Sequence, residues 1–179
     1  MASQCLTVFP NKKLMPLEDE MICPFVLAFA AVLTGSSPVS PQTASARLLA
    51  EIVAQRERTF AQRALQINPR EAFMEFFSPD AVMFSPRPVP AHERLRRPAP
   101  WPFTLEWWPL EVTISRNGTL ACSTGPAIRT PSGTGKPTYG TYFSIWRPDQ
   151  SGVWMVSADL GTDTPCLWAE QEAPTRFHL

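Results

Sequence analysis

The chain predicts an α+β domain: a cone-shaped, curved antiparallel sheet packed on two to three N-terminal helices. Three observations carry this prediction. Helical periodicity is confined to the first part of the folded region, between Ser45 and Phe77. From Phe103 onward the pattern turns to strands, with two-residue alternation. The strands are joined by strong turn signals, Asn117-Gly118 and the run Pro148 to Gly152. Helices segregated from consecutive hairpins imply helices covering one face of a sheet. A strongly bent sheet against helices leaves a cavity at one end, which is the default ligand site. The 179 residues fit one domain with a leader or tail to spare.

The elements follow in order. Met1–Glu20 has no clear period and reads as an extension upstream of the true start at Met21. Residues 21–46 read as a signal peptide or disordered leader. The apolar run MICPFVLAFAAVL is too short to span a bilayer, and small residues follow it. Export, periplasmic or secreted, with cleavage between Gly35 and Ala46 is therefore expected; without cleavage the protein is cytoplasmic. Any membrane contact is transient and through this leader. The domain proper is assigned to 47–165 and a C-terminal tail to 166–179. Ser45 to Gln66 is a helix of good formers, with Leu49, Val53, Phe60, Ala64 and Ile67 on one stripe. Glu57 falls on that stripe, an acid placed on an apolar face.

Asn68-Pro69-Arg70-Glu71 opens a second helix, with Asn68 as cap and Pro69 at the first helical position. Ser78-Pro79 stops it. Asp80 to Ser85 is a short strand, and Ala91 to Arg97 a short third helix. Leu105 to Ser115 is a long strand interrupted at Pro109. Leu120–Arg129, Tyr139–Arg147 and Val153–Leu160 complete four long antiparallel strands. Of 20 prolines, six stand at 86, 88, 90, 98, 100 and 102, so that segment is mostly irregular.

Composition narrows the function classes. Sixteen basic residues balance sixteen acidic ones, which excludes a nucleic-acid partner read from a basic face. The local cluster Arg94, Arg96, Arg97 reads as the solvated side of a short helix. The loop TPSGTGKP lacks P-loop spacing. His92 and His178 have no ligand spacing, so no metal is expected, and no motif implies a cofactor. Cys122 has no adjacent activating group. Cys122 and Cys166 either pair in an oxidising compartment or stay as two buried thiols.

The segments FFSPDAVMFSPRPVP, LEWWPLEV, GTLACSTGP and YGTYFSIWRPDQSGVWMVSADLG resemble the nuclear transport factor 2-like superfamily, over about residues 50 to 162. More narrowly they are similar to its SnoaL-like branch of unknown-function exported bacterial proteins. The resemblance implies an α+β cone and often a homodimer. It implies no single activity, because that superfamily includes isomerases, dehydratases, cyclases and non-catalytic adaptors. Trp107-Trp108-Pro109 departs from the superfamily's usual Trp-Glu-Pro-like element.

Pairing the last two strands about their turn sets Trp146 opposite Trp154. Tyr142, Ser144, Val156 and Ala158 then share one face, and Thr141, Phe143, Ile145, Met155, Ser157 and Asp159 the other. A slip by one residue would exchange the two sets. Both faces carry large apolar groups, so helices are expected on one and a second subunit on the other, as an isologous homodimer. Asp159 is the candidate general base and Tyr142 its hydrogen-bonding partner; Asp159 could equally serve as scaffold. Glu57, Phe60, Trp107, Phe143, Trp146 and Met155 are candidate ligand contacts. The alternative for Glu57 is an edge position whose carboxylate reaches Arg129, Arg147 or water. The readings left open are a small-molecule-binding cone for an apolar or aromatic ligand, a cofactor-independent isomerase, hydratase or cyclase, and a dimeric protein-interaction module.

Overall fold

A computed structural model describes residues 41–84, 86–97, 100–168 and 173–179, all within one compact unit, Ser40–Leu179. The expected leader lies outside the described residues, apart from its last few positions. Those positions are helical: α1 runs Pro41–Gln66. Its inward stripe is Ala50, Val53, Ala54, Glu57, Phe60, Ala61 and Ala64, all buried. None of the helices is long and apolar enough to cross a membrane, among the described residues.

Helix α2, Pro69–Phe76, starts as its sequence dictates. The Asn68 side chain accepts from the Glu71 amide at 2.9 Å, with Pro69 at the first helical position. Phe73 and Phe76 meet Phe60 of α1, stacked at 4.8 Å for Phe76 and edge-on at 5.0 Å for Phe73. The chain passes from α2 directly into β1, Phe77–Phe84. A short β2, Pro88–Pro90, then leads into α3, Ala91–Arg96. His92 ties α3 to β1, with Nε2 3.2 Å and 3.0 Å from the carbonyls of Phe77 and Ser78.

The rest is sheet: β3 Phe103–Trp107, β4 Glu111–Ile114, β5 Ala121–Pro131, β6 Thr138–Pro148, β7 Trp154–Thr164 and β8 Arg176–His178. The order is β2-β1-β7-β6-β5-β4-β8, with β3 pairing β5 beside β4. The expected long strand interrupted at Pro109 is thus β3 and β4, both antiparallel to β5. Gly125 permits the break. A Cβ there would lie 2.0 Å from the Trp108 carbonyl oxygen, so only glycine lets the Trp108-Pro109-Leu110 crossing lie on β5.

The sheet is mixed where antiparallel pairing was expected throughout. β1 runs parallel to β7 and β8 parallel to β4. The reason is topological: β1 is reached from the helices and β8 from beyond the last hairpin, so neither is joined to its neighbour by a tight turn. Of the stretch assigned to a tail, Arg176–His178 therefore belongs to the sheet, and the Arg176 amide donates to the Leu110 carbonyl at 2.7 Å. Asn117-Gly118 makes the β4–β5 turn, with Gly118 at φ 69°. The β6–β7 turn is held by Asp149, whose Oδ1 accepts from the Ser151 and Val153 amides, with Gly152 at φ 84°.

Candidate functional site

The alternation expected for the last hairpin fails at one point. Trp146 pairs with Val156, not Trp154, and Ile145 pairs with Ala158. Ser157 is thus an extra residue, a β-bulge, and its hydroxyl donates to the Ile145 carbonyl at 3.2 Å. One added residue reverses which side chains face inward beyond it. Before the bulge Trp154 and Val156 are buried with Trp146. After it Asp159 joins Tyr142 and Ser144 on the inner face, where the regular register had placed it outside. Ser144 lies directly opposite Asp159 and opposite Ser123 on β5. A row of polar side chains therefore crosses the otherwise apolar concave face.

Asp159 lines a cavity of about 540 Å³ between this face and the helices. Phe60 and Phe73 come from α1 and α2, Trp101, Phe103, Leu105 and Trp107 from the segment after α3, and Tyr142 from β6. This is within the size range of small-molecule sites and has their mixture of aromatic wall and few polar groups. Ser144 donates to Asp159 Oδ2 at 2.8 Å. Oδ1 has no hydrogen-bond partner among the described residues. Burial pushes the Asp159 carboxyl up to about 6, against the stabilising Ser144 bond. The Tyr142 hydroxyl is 2.9 Å from the Ser123 hydroxyl. Burial, and then the charge of Glu57, raise its pKa well above the ordinary value, so the phenol stays neutral.

Glu57 does not line the cavity. It is wholly buried beneath the wall, and its two oxygens accept from the indoles of Trp107 at 2.7 Å and Trp146 at 2.8 Å. An indole N–H can only donate, so one carboxylate satisfies both buried tryptophans. Arg129, Arg147 and water were the expected partners; Arg147 instead pairs with Asp80, and Arg129 lies over the Phe103 ring. Burial pushes the Glu57 carboxyl up to about 7 despite the two indole donors, and the Asp159 charge adds to the rise.

The other expected ligand contacts divide. Phe60 and Trp107 line the cavity. Trp146 is fully buried behind it, and Phe143 and Met155 lie on the outer face, with Phe143 exposed. The last two go outward by simple alternation, each standing one residue from an inward neighbour, Tyr142 or Val156. Cys122 is a free thiol, so it does not pair with Cys166. Burial, with Glu57 and Glu111 nearby, pushes it up to about 11 and keeps it unreactive at neutral pH. Sequence reasoning missed Ser144, Ser123 and Arg94 as site neighbours. The first two could have been found as small polar residues at inward positions of long apolar strands.

An open α+β cone with an acid in its cavity is what these elements define, and comparison with known structures gives that architecture its name. The chain has the nuclear transport factor 2-like fold. It is similar to a nuclear transport factor 2-like superfamily protein from Salmonella enterica serovar Typhimurium, with TM-score 0.52 and 12% identity over 72% of this chain and 99% of that one. It is similar to a ketosteroid isomerase-like protein from Erwinia carotovora atroseptica, with TM-score 0.51 and 15% identity over 64% and 96%. A nuclear transport factor 2-like protein of unknown function from Shewanella oneidensis matches with TM-score 0.50 and 14% identity over 63% and 97%. No family model matches the sequence, and no curated protein does.

Proposed function

We propose that this protein binds a small, largely apolar molecule in the cone and moves a proton on it, with Asp159 as general base and no cofactor. The reaction class is isomerisation or elimination at a carbon made acidic by a neighbouring carbonyl. The observation that carries the reading is Asp159 itself. Its carboxylate faces an aromatic-walled cavity with one oxygen uncommitted and no ion pair, and its pKa is lifted toward neutrality. Glu57, by contrast, has both oxygens engaged by indole donors. Ser144 orients the carboxylate, and Tyr142, held by Ser123, offers a neutral hydroxyl on the same wall. The likeness to an isomerase-like structure supports the architecture only.

The test needs no native substrate. β-Tetralone is an apolar ketone with exchangeable α-protons. Wild-type protein in deuterated buffer is expected to speed loss of its α-proton NMR signal. The rate rises with pH through about 6, because the base must be ionised. Asp159→Asn is expected to reduce the rate by about a hundred-fold or more with an unchanged circular dichroism spectrum. A variant as fast as wild type would sink the general-base role. A variant that mainly loses thermal stability would make Asp159 scaffold.

A further inference from the structure

Proton transfer at Asp159 leaves two cations in the cavity unused. Arg94 of α3 and Arg129 of β5 both line it. Elsewhere Arg47, Arg63, Arg97, Arg147 and Arg176 each pair with a carboxylate. Arg56 and Arg58 are engaged by the Trp154 carbonyl and the Thr175 hydroxyl. Arg94 and Arg129 have neither an ion pair nor a hydrogen bond among the described residues. Arg87, Arg96 and Arg116 share that condition and, like Arg129, are exposed, but none of the three lines the cavity. Arg94 is half-buried against the cavity. The Arg129 guanidinium is held 5.2 Å over the Phe103 ring, and Phe103 stacks on Trp101 at 5.5 Å. That contact places the guanidinium over the ring without neutralising it.

The acids on the same wall are Asp159 and Asp163, and neither forms an ion pair with these arginines among the described residues. Asp163 is exposed at the rim, where water screens it. A planar guanidinium with five donors and a permanent charge matches a carboxylate through paired hydrogen bonds. A neutral ligand filling the cavity would strip water from Arg94 and return nothing. An anionic group placed against Asp159 would meet like charge. Only one orientation satisfies both ends.

We infer that the ligand is a small aromatic or alicyclic carboxylate, its acid group held by Arg94 and Arg129 at the cavity rim and its apolar ring against Phe60, Trp107 and Tyr142. The inference rests on the cavity's being a ligand site, and is independent of whether Asp159 acts as a base. Calorimetric titration of the full chain with β-naphthoate and with its neutral isostere β-naphthamide tests it. Naphthoate is expected to bind at least about ten-fold more tightly, the scale of one charge-assisted hydrogen bond. Arg94→Gln and Arg129→Gln should each narrow that gap by weakening naphthoate, and added salt should narrow it too. Equal affinity, or tighter naphthamide, overturns the carboxylate inference and leaves the apolar cavity standing. Binding of neither compound overturns both.

Discussion

Two acids look alike in the sequence and do different work in the fold. Glu57 stands out as an acid on an apolar stripe, which is visible in the sequence; its partners are not. Trp107 and Trp146 lie far along the chain, and only the packing of α1 on the sheet brings both indoles to one carboxylate. Replacing that carboxylate by an amide sets an NH2 group against an indole N–H. Glu57→Gln is expected to cost about 1–3 kcal/mol in urea unfolding, the penalty of an unsatisfied buried donor. The pH dependence has a definite sign. Burial raises Glu57 to about 7 in the folded state, above its ordinary value of 4.5, so the folded chain binds the proton more tightly. Stability contributed by that proton is present below about 4.5 and lost as pH rises through about 7. The urea midpoint should fall between pH 5 and 8 (roughly the span between the two values), and Glu57→Gln should flatten the slope. A wild-type midpoint that rises over that interval contradicts the assignment.

At the scale of elements, most boundaries were legible. The Asn68 cap, the Pro69 start, the Pro109 interruption and the Asn117-Gly118 turn each rest on local chemistry that a sequence displays directly. The register of the last hairpin was not legible, because the turn closes at Pro148 and Trp154, which shifts the pairing by two residues without changing faces, and the bulge at Ser157 has no compositional mark. The two-residue alternation is self-consistent without it and puts Asp159 on the wrong face. Strand β8 escaped for a related reason: three residues, Arg176–His178, carry too little pattern to be read as a strand, and their pairing with β4 is long-range. Deleting Ser157 tests the element directly. The shortened β7 pairs Val156, Ala158 and Asp159 with Trp146, Ile145 and Ser144 in unbroken alternation, so Trp154, Val156 and Asp159 all stay inward. Such a variant should remain folded by circular dichroism and keep tetralone exchange well above the level of Asp159→Asn. Exchange lost in a folded deletion variant would contradict the assignment of Ser157 as the extra residue.

For the molecule as a whole, the fold class was legible because helices and hairpins are segregated along the chain, while the parallel pairings of β1 and β8 depend on which distant edges meet. The outer sheet face carries Phe143, exposed, with Ile145 and Met155 half-buried. We propose that a second copy covers it. Sedimentation equilibrium should then give a dimer that Phe143→Arg dissociates, whereas a monomer at high concentration removes the proposal. The central claim concerns the concave face: Asp159 lines a ligand cavity with its carboxyl titrating well above an ordinary aspartate. The most direct measurement is an NMR titration of the aspartate side-chain carboxyl carbons, assigned by loss of one signal in Asp159→Asn, with and without β-naphthamide. The account predicts a midpoint near 6 that moves when the compound binds. A midpoint near 4, untouched by bound compound, would contradict it.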